Sequence, residues 1–140
     1  MRLLLLVALC LAGALLVRAA SAHASLERST PSDGQQLATA PARVDLYFAQ
    51  QLVQNRTGTF AAVFDGAGSV VSDEARLDPT DGKHLVVPLH AGLGADSYEV
   101  FWKTTSDEDG GVTLGNFSFS VGALPRGAAA RLPGGQVLVP

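Results

Sequence analysis

The sequence predicts an all-β protein: a single immunoglobulin-like β-sandwich of about seven strands, preceded by a signal peptide. Three observations carry this. Apolar and polar residues alternate in short runs separated by Gly, Pro and Asp, the spacing of an all-β domain. No stretch after residue 23 holds a helical period over about eleven residues. The run Leu93-Gly94-Ala95-Asp96-Ser97-Tyr98 has the form of a tyrosine corner, with the phenol bonding back to the preceding loop.

Residues 1–22 read as a secretory signal. Arg2 supplies the positive start, residues 3–17 the apolar stretch, and Ala20-Ser21-Ala22 the small-residue cleavage site. The apolar run of about 15 residues is shorter than the roughly 20 that span a bilayer. A cut after Ala22 makes His23 the first residue. Ala22-His23-Ala24 meets the same small-x-small rule, and a cut there would leave Ser25 first. The first cut is favoured. Residues 23–122 then form the sandwich domain, and residues 123–140, rich in Ala, Gly and Pro, are expected as a flexible tail.

Within the domain, residues 24–29 lead into the turn Pro31-Ser32-Asp33-Gly34. Val44, Leu46 and Phe48 alternate with Asp45 and Tyr47 after Ala40-Pro41. Residues 59–64 and 69–72 flank Asp65-Gly66-Ala67-Gly68 as a hairpin. Leu85, Val87 and Leu89 share one strand face; Tyr98, Val100 and Trp102 share another. Phe117, Phe119 and Val121 alternate with serines in the last strand. Phe48, Trp102, Phe117 and Phe119 are the expected core.

Removing residues 1–22 takes Arg2 and Arg18 with it and leaves a formal charge of about −5 without a basic patch, which argues against nucleic-acid or anionic-membrane binding. The one cysteine, Cys10, lies in the leader, so the mature domain has no disulfide. No Ser/His/Asp, Cys/His or Gly-rich phosphate-binding arrangement is present, and the chain reads as a non-enzyme.

Three histidines and one acidic loop remain as candidates for chemistry. As an N-terminal residue, His23 offers an amine and an imidazole Nδ1 together, a bidentate chelate suited to Cu(II). His84 and His90 sit on the strand face opposite Leu85, Val87 and Leu89. They lie roughly 20 Å apart, too far to share a metal, and both read as exposed surface histidines. Asp107-Glu108-Asp109-Gly110-Gly111 joins the last two long strands, where a sandwich could bring Asp109 toward His23.

The chain resembles the CopC family of periplasmic copper-binding proteins over residues 22–122. The likeness rests on Ala22-His23-Ala24-Ser25-Leu26, Ser29-Thr30-Pro31-Ser32-Asp33-Gly34, Val44-Asp45-Leu46-Tyr47-Phe48, Tyr98-Glu99-Val100-Phe101-Trp102-Lys103 and Gly115-Asn116-Phe117-Ser118-Phe119-Ser120-Val121-Gly122. The resemblance implies Cu(II) held by an N-terminal histidine, here His23, and by an Asp-x-His motif whose aspartate falls on Asp109. The motif's histidine falls on Gly111. No methionine follows Met1, so the methionine-rich Cu(I) segment of some members is missing. The implied function is an exported Cu(II) carrier or buffer, extracytoplasmic, with a CopD-like membrane copper protein as partner. A metal-free binding or structural module that has lost the copper site is the alternative.

Overall fold

The computed structural model describes residues 23–122; the expected signal peptide (1–22) and tail (123–140) lie outside the described residues. Eight strands follow in chain order: β1 (Leu26–Thr30), β2 (Gln36–Leu37), β3 (Arg43–Phe48), β4 (Phe60–Phe64), β5 (Arg76–Asp78), β6 (Asp81–Pro88), β7 (Asp96–Thr105) and β8 (Val112–Val121). They form two four-stranded sheets, ordered β1-β3-β6-β5 and β2-β8-β7-β4. The β-sandwich expected from the alternation is the fold observed. All pairings are antiparallel except that of β2 with β8.

The strand list differs from the sequence reading at the sheet edges. Residues 69–72 make only isolated bridges, Phe64 with Val70 and Ser72 with Leu89. In their place stand β2 and β5, of two and three residues. Strands that short carry no alternation to read; they exist because a longer neighbour offers backbone partners.

The long strands follow their patterns closely. Val44, Leu46 and Phe48 of β3, Leu85 and Val87 of β6, Tyr98, Val100 and Trp102 of β7, and Phe117, Phe119 and Val121 of β8 are all buried between the sheets. Each such side chain contributes about 1.5–3 kcal/mol on leaving water. Trp102 packs edge-on against Phe48 at 6.4 Å between ring centroids and tilted against Phe117 at 6.0 Å. Its cross-strand partner is Gly115, where any Cβ would run into the indole. The Tyr98 hydroxyl donates to the Gly94 carbonyl at 2.8 Å, closing the corner expected from the sequence.

One expectation fails. His84 is not an exposed surface histidine but is buried, at 7% exposure. Alternation places it on the outer face of its sheet, and that face is covered there. Tyr47, its register partner on β3, stacks on the ring at 4.2 Å with only 9° between planes. Asp45 Oδ1 lies 2.7 Å from Nε2, and Asp78 Oδ2 lies 3.4 Å from Nδ1. Arg28 caps the other face of Tyr47, 3.4 Å from the ring centroid. His90 is exposed, as expected, beside Asp73.

Candidate metal centre

The backbone on either side of His23 explains its position. Ala24 is fully buried, and its carbonyl accepts a hydrogen bond from the Thr104 hydroxyl at 3.3 Å. The Ser25 carbonyl accepts from the Ala49 amide at 2.9 Å. A small residue sunk into the core thus fixes His23 at the end of the sandwich where β7 gives way to β8. The β7–β8 loop lies at that same end.

This loop is built around Ser106, itself only 1% exposed. Its hydroxyl accepts from the amides of Glu108 at 3.1 Å and Asp109 at 3.3 Å, a serine-headed turn. Its amide donates to the Gly111 carbonyl, and the Gly110 amide donates to its carbonyl. Gly110 takes φ +71°, a conformation that favours glycine and lets the loop close so tightly. The loop is also stitched to the segment after β3. The Asp107 amide donates to the Gln51 carbonyl at 2.9 Å, and the Gln51 amide donates to Glu108 Oε1 at 3.3 Å.

Asp109 Oδ2 therefore stands 3.2 Å from His23 Nδ1, although 86 positions separate the two in sequence. Both side chains reach solvent, at 48% and 32% exposure. The second oxygen, Oδ1, accepts from the Gly111 amide at 2.8 Å. That hydrogen bond is the main cause lowering the Asp109 carboxyl to about 2, with His23 and Ser106 adding to it. The group is a carboxylate at any physiological pH.

Gly111 carries no donor of its own, and the His23 ring fills the space a side chain there would take. A Cβ built at 111 would overlap the imidazole. The φ of Gly111 is not positive, so the backbone admits a side chain once the ring moves aside. Among the described residues no group of three or more His, Cys, Asp or Glu side chains gathers as a metal site. What the structure brings together is one imidazole and one carboxylate. It keeps His84 and His90 apart from them, bonded to Asp45 and Asp78 and beside Asp73 respectively.

The sequence reading missed Ser106, Thr104 and the burial of Ala24, which place the pair. A serine followed by Asp-Glu-Asp-Gly is a turn signal that could have pointed to Ser106. Nothing local marks the other two. A groove of about 820 Å³ runs between β4 and β5 with Phe60, Val70 and Leu77 in its wall; it includes neither His23 nor Asp109.

Comparison with known proteins gives the family. Residues 26–122 match the model of the CopC domain. The chain belongs to the CopC family. It is 32% identical over 119 residues to copper resistance protein C of Pseudomonas syringae pv. tomato, covering 82% of this chain and 93% of that one. It is 27% identical over 120 residues to copper transport protein CutJ of Bacillus subtilis, covering 85% of this chain but 22% of the longer relative. Among solved structures, PcoC, a methionine-rich copper resistance protein from Escherichia coli, aligns with a TM-score of 0.60 at 27% identity, over 71% of this chain and 99% of that one. CopC from Methylosinus trichosporium OB3b aligns with a TM-score of 0.63 at 24% identity, over 71% and 93%, a likeness of fold. The CopC family chain described here has a single methionine, Met1, where PcoC is methionine-rich.

Proposed function

We propose that this CopC family chain is an exported Cu(II) carrier or buffer, with His23 and Asp109 as its metal ligands. The observation that carries the reading is the approach of His23 Nδ1 to Asp109 Oδ2 at 3.2 Å on a solvent-facing end of the domain. Imidazole nitrogen with carboxylate oxygen suits Cu(II), and the permanently ionised Asp109 supplies charge without a proton to lose. Cleavage after Ala22 adds the His23 amine as a third donor. No thiolate or thioether follows the leader, which leaves Cu(I) without soft ligands. One imidazole beside one carboxylate supports a carrier rather than an enzyme.

Copper resistance and copper transport in the names of relatives support the copper assignment. Delivery to a membrane copper protein of the CopD type belongs to the same proposal, as the resemblance to the family implies. The leader supports an extracytoplasmic, periplasmic place of action.

The alternative is a metal-free binding or structural module. Gly111 favours it, because the position that carries the second histidine elsewhere in the family here holds only backbone. Copper titration of the mature chain separates the two. The carrier should begin at His23 by mass spectrometry and bind one Cu(II). His23→Ala should weaken that binding by about 100-fold or more, beyond the usual loss for a residue that only supports a ligand. A mature chain starting at Ser25, or one indifferent to Cu(II), would leave the metal-free module as the function.

A further inference from the structure

We propose that the segment Gln136-Val137-Leu138-Val139 of this chain docks in the groove between β4 and β5, against Phe60, Val70 and Leu77. The proposal stands apart from the copper reading, since the groove contains neither His23 nor Asp109.

The groove exists because both sheets end beside it. β4 is the last strand of one sheet and β5 the last of the other, so each has a side without a neighbouring strand. Residues 69–72 cover part of the β4 side: the Val71 amide donates to the Val63 carbonyl, and Phe64 bridges Val70. Beyond that bridge, no described strand or isolated bridge flanks Phe60–Ala62 on this side. An uncovered edge offers its backbone to any extended segment. The walls are apolar as well. Phe60 and Val70 are 49% and 52% exposed, and Ala75, Leu77 and Pro79 line the rest. At about 820 Å³ the groove is of the size that buries a small ligand.

Composition, reach and charge select the occupant. Val137-Leu138-Val139 is the only run of large aliphatic residues after Gly122, and in an extended segment Val137 and Val139 share a face. β8 ends at Val121, opposite Asp96 of β7, and Asp96 Oδ2 accepts from the Gly66 amide in the turn after β4. The chain therefore leaves β8 two strand spacings, roughly 10 Å, from the Phe64–Val70 end of the groove. Thirteen residues, 123–135, join Gly122 to the segment. Fully extended they reach roughly 45 Å, and a Gly-rich chain of that length averages about 20 Å end to end. Such a tether sets a local concentration in the millimolar range, so a weak contact is enough to hold the segment. Residues 123–140 carry Arg126 and Arg131 and no acidic side chain. Asp96 and Asp65 stand at the turn between Gly122 and the groove, and exposed Asp73 stands on its rim. The cation of the lining, Arg56, is held by Glu74 and leaves these carboxylates to the incoming arginines. Docked in this way, the segment covers the open edge together with Phe60 and Val70, and guards the domain against edge-to-edge association.

The test uses the copper-free mature chain with Gln136→Cys carrying a nitroxide spin label, read by the intensities of its 15N amide resonances. The label is unique because the one natural cysteine, Cys10, lies in the leader. The amides of Phe60, Ala61, Val70 and Leu77 should lose most of their intensity, while those of Arg28 and Tyr47, toward the opposite edge of the β5 sheet, keep theirs. Val137→Asp combined with Val139→Asp should restore the groove signals. Both positions follow β8, so neither change replaces a core side chain. A synthetic peptide of residues 134–140 should bind this double variant at least about tenfold more tightly than it binds the parent, whose own segment holds the groove. Spin-labelled chain without 15N, mixed with 15N chain without label, tests for a second copy. Loss of groove signals in that mixture would mean that another molecule fills the groove, and would overturn the proposal. Weak broadening spread evenly over the domain, broadening unchanged by the two aspartates, or equal peptide affinity for parent and variant would overturn it as well. None of these outcomes touches the copper reading.

Discussion

Two of the His–Asp pairs in the molecule, His84–Asp45 and His23–Asp109, sit in opposite surroundings. His84 and Asp45 face each other across β6 and β3 at 2.7 Å, both side chains about nine-tenths buried, with Tyr47 over the ring and Arg43 Nε 3.0 Å from the other carboxylate oxygen. His23 and Asp109 meet at 3.2 Å on a segment and a loop, both open to water. The first pair has a carboxylate at each ring nitrogen and Tyr47 stacked on the imidazole. The second reaches solvent with both side chains. Chemical identity therefore says little about surroundings: the buried pair ties strands together, and the solvent-facing pair is the one proposed to hold the metal.

The largest effect should come from removing what supports both pairs. Trp102 lies between Phe48 and Phe117, beneath the end of the sandwich that carries His23. Trp102→Ala should cost about 3–5 kcal/mol by urea unfolding. A loss well under that would mean the indole is not central to the core, and the two sheets are held chiefly by the aliphatic residues around it.

A smaller loss tests the division of labour. His84→Ala removes a ring that touches β3, β5 and β6 at once and leaves Asp45 buried with Arg43 alone. It should cost about 1–3 kcal/mol of stability, as for a buried polar group left short of a partner. Copper affinity should stay within about twofold, because the two pairs share no side chain. A marked fall in copper affinity with unchanged stability would reverse the assignment of roles.

How far the sequence reveals each pair follows from the same contrast. Alternation is a property of one strand, so Val44, Leu46 and Phe48, or Tyr98, Val100 and Trp102, disclose their faces without reference to anything else. The outer face of His84 is equally legible, but its burial is not. It depends on register between β3 and β6, which sets Tyr47 beside it, and on β5, three residues long, which brings up Asp78. The nearness of His23 and Asp109 is a long-range fact of the same kind. It came into view through resemblance to the CopC family and through the topology of a sandwich, in which the first strand and the last loop can share an end. The part played by Ser106 is hidden because a serine-headed turn and an ordinary acidic loop look nearly alike in one sequence.

The finest test of the contrast is in acid, where the open pair should titrate as part of the fold. The Asp109 carboxyl is lowered to about 2, foremost by the Gly111 N–H. In the unfolded chain an aspartate titrates near 3.9. A carboxyl lowered on folding stabilises the protein above the unfolded value, and that contribution drains away as pH falls from there through the folded value. The apo domain should therefore lose stability as pH drops from about 4 toward 2, and Asp109→Asn should flatten the slope in that window. The asparagine oxygen can still accept from the Gly111 amide, so the loop keeps its shape while losing its titration. Asp78, lowered foremost by the Thr80 hydroxyl, titrates in the same direction. It is present in both chains, and the difference between them isolates Asp109. Parallel unfolding curves for parent and variant across pH 2–4 would mean that the Gly111 bond is not maintained in solution, and the site would then be assembled only when copper arrives.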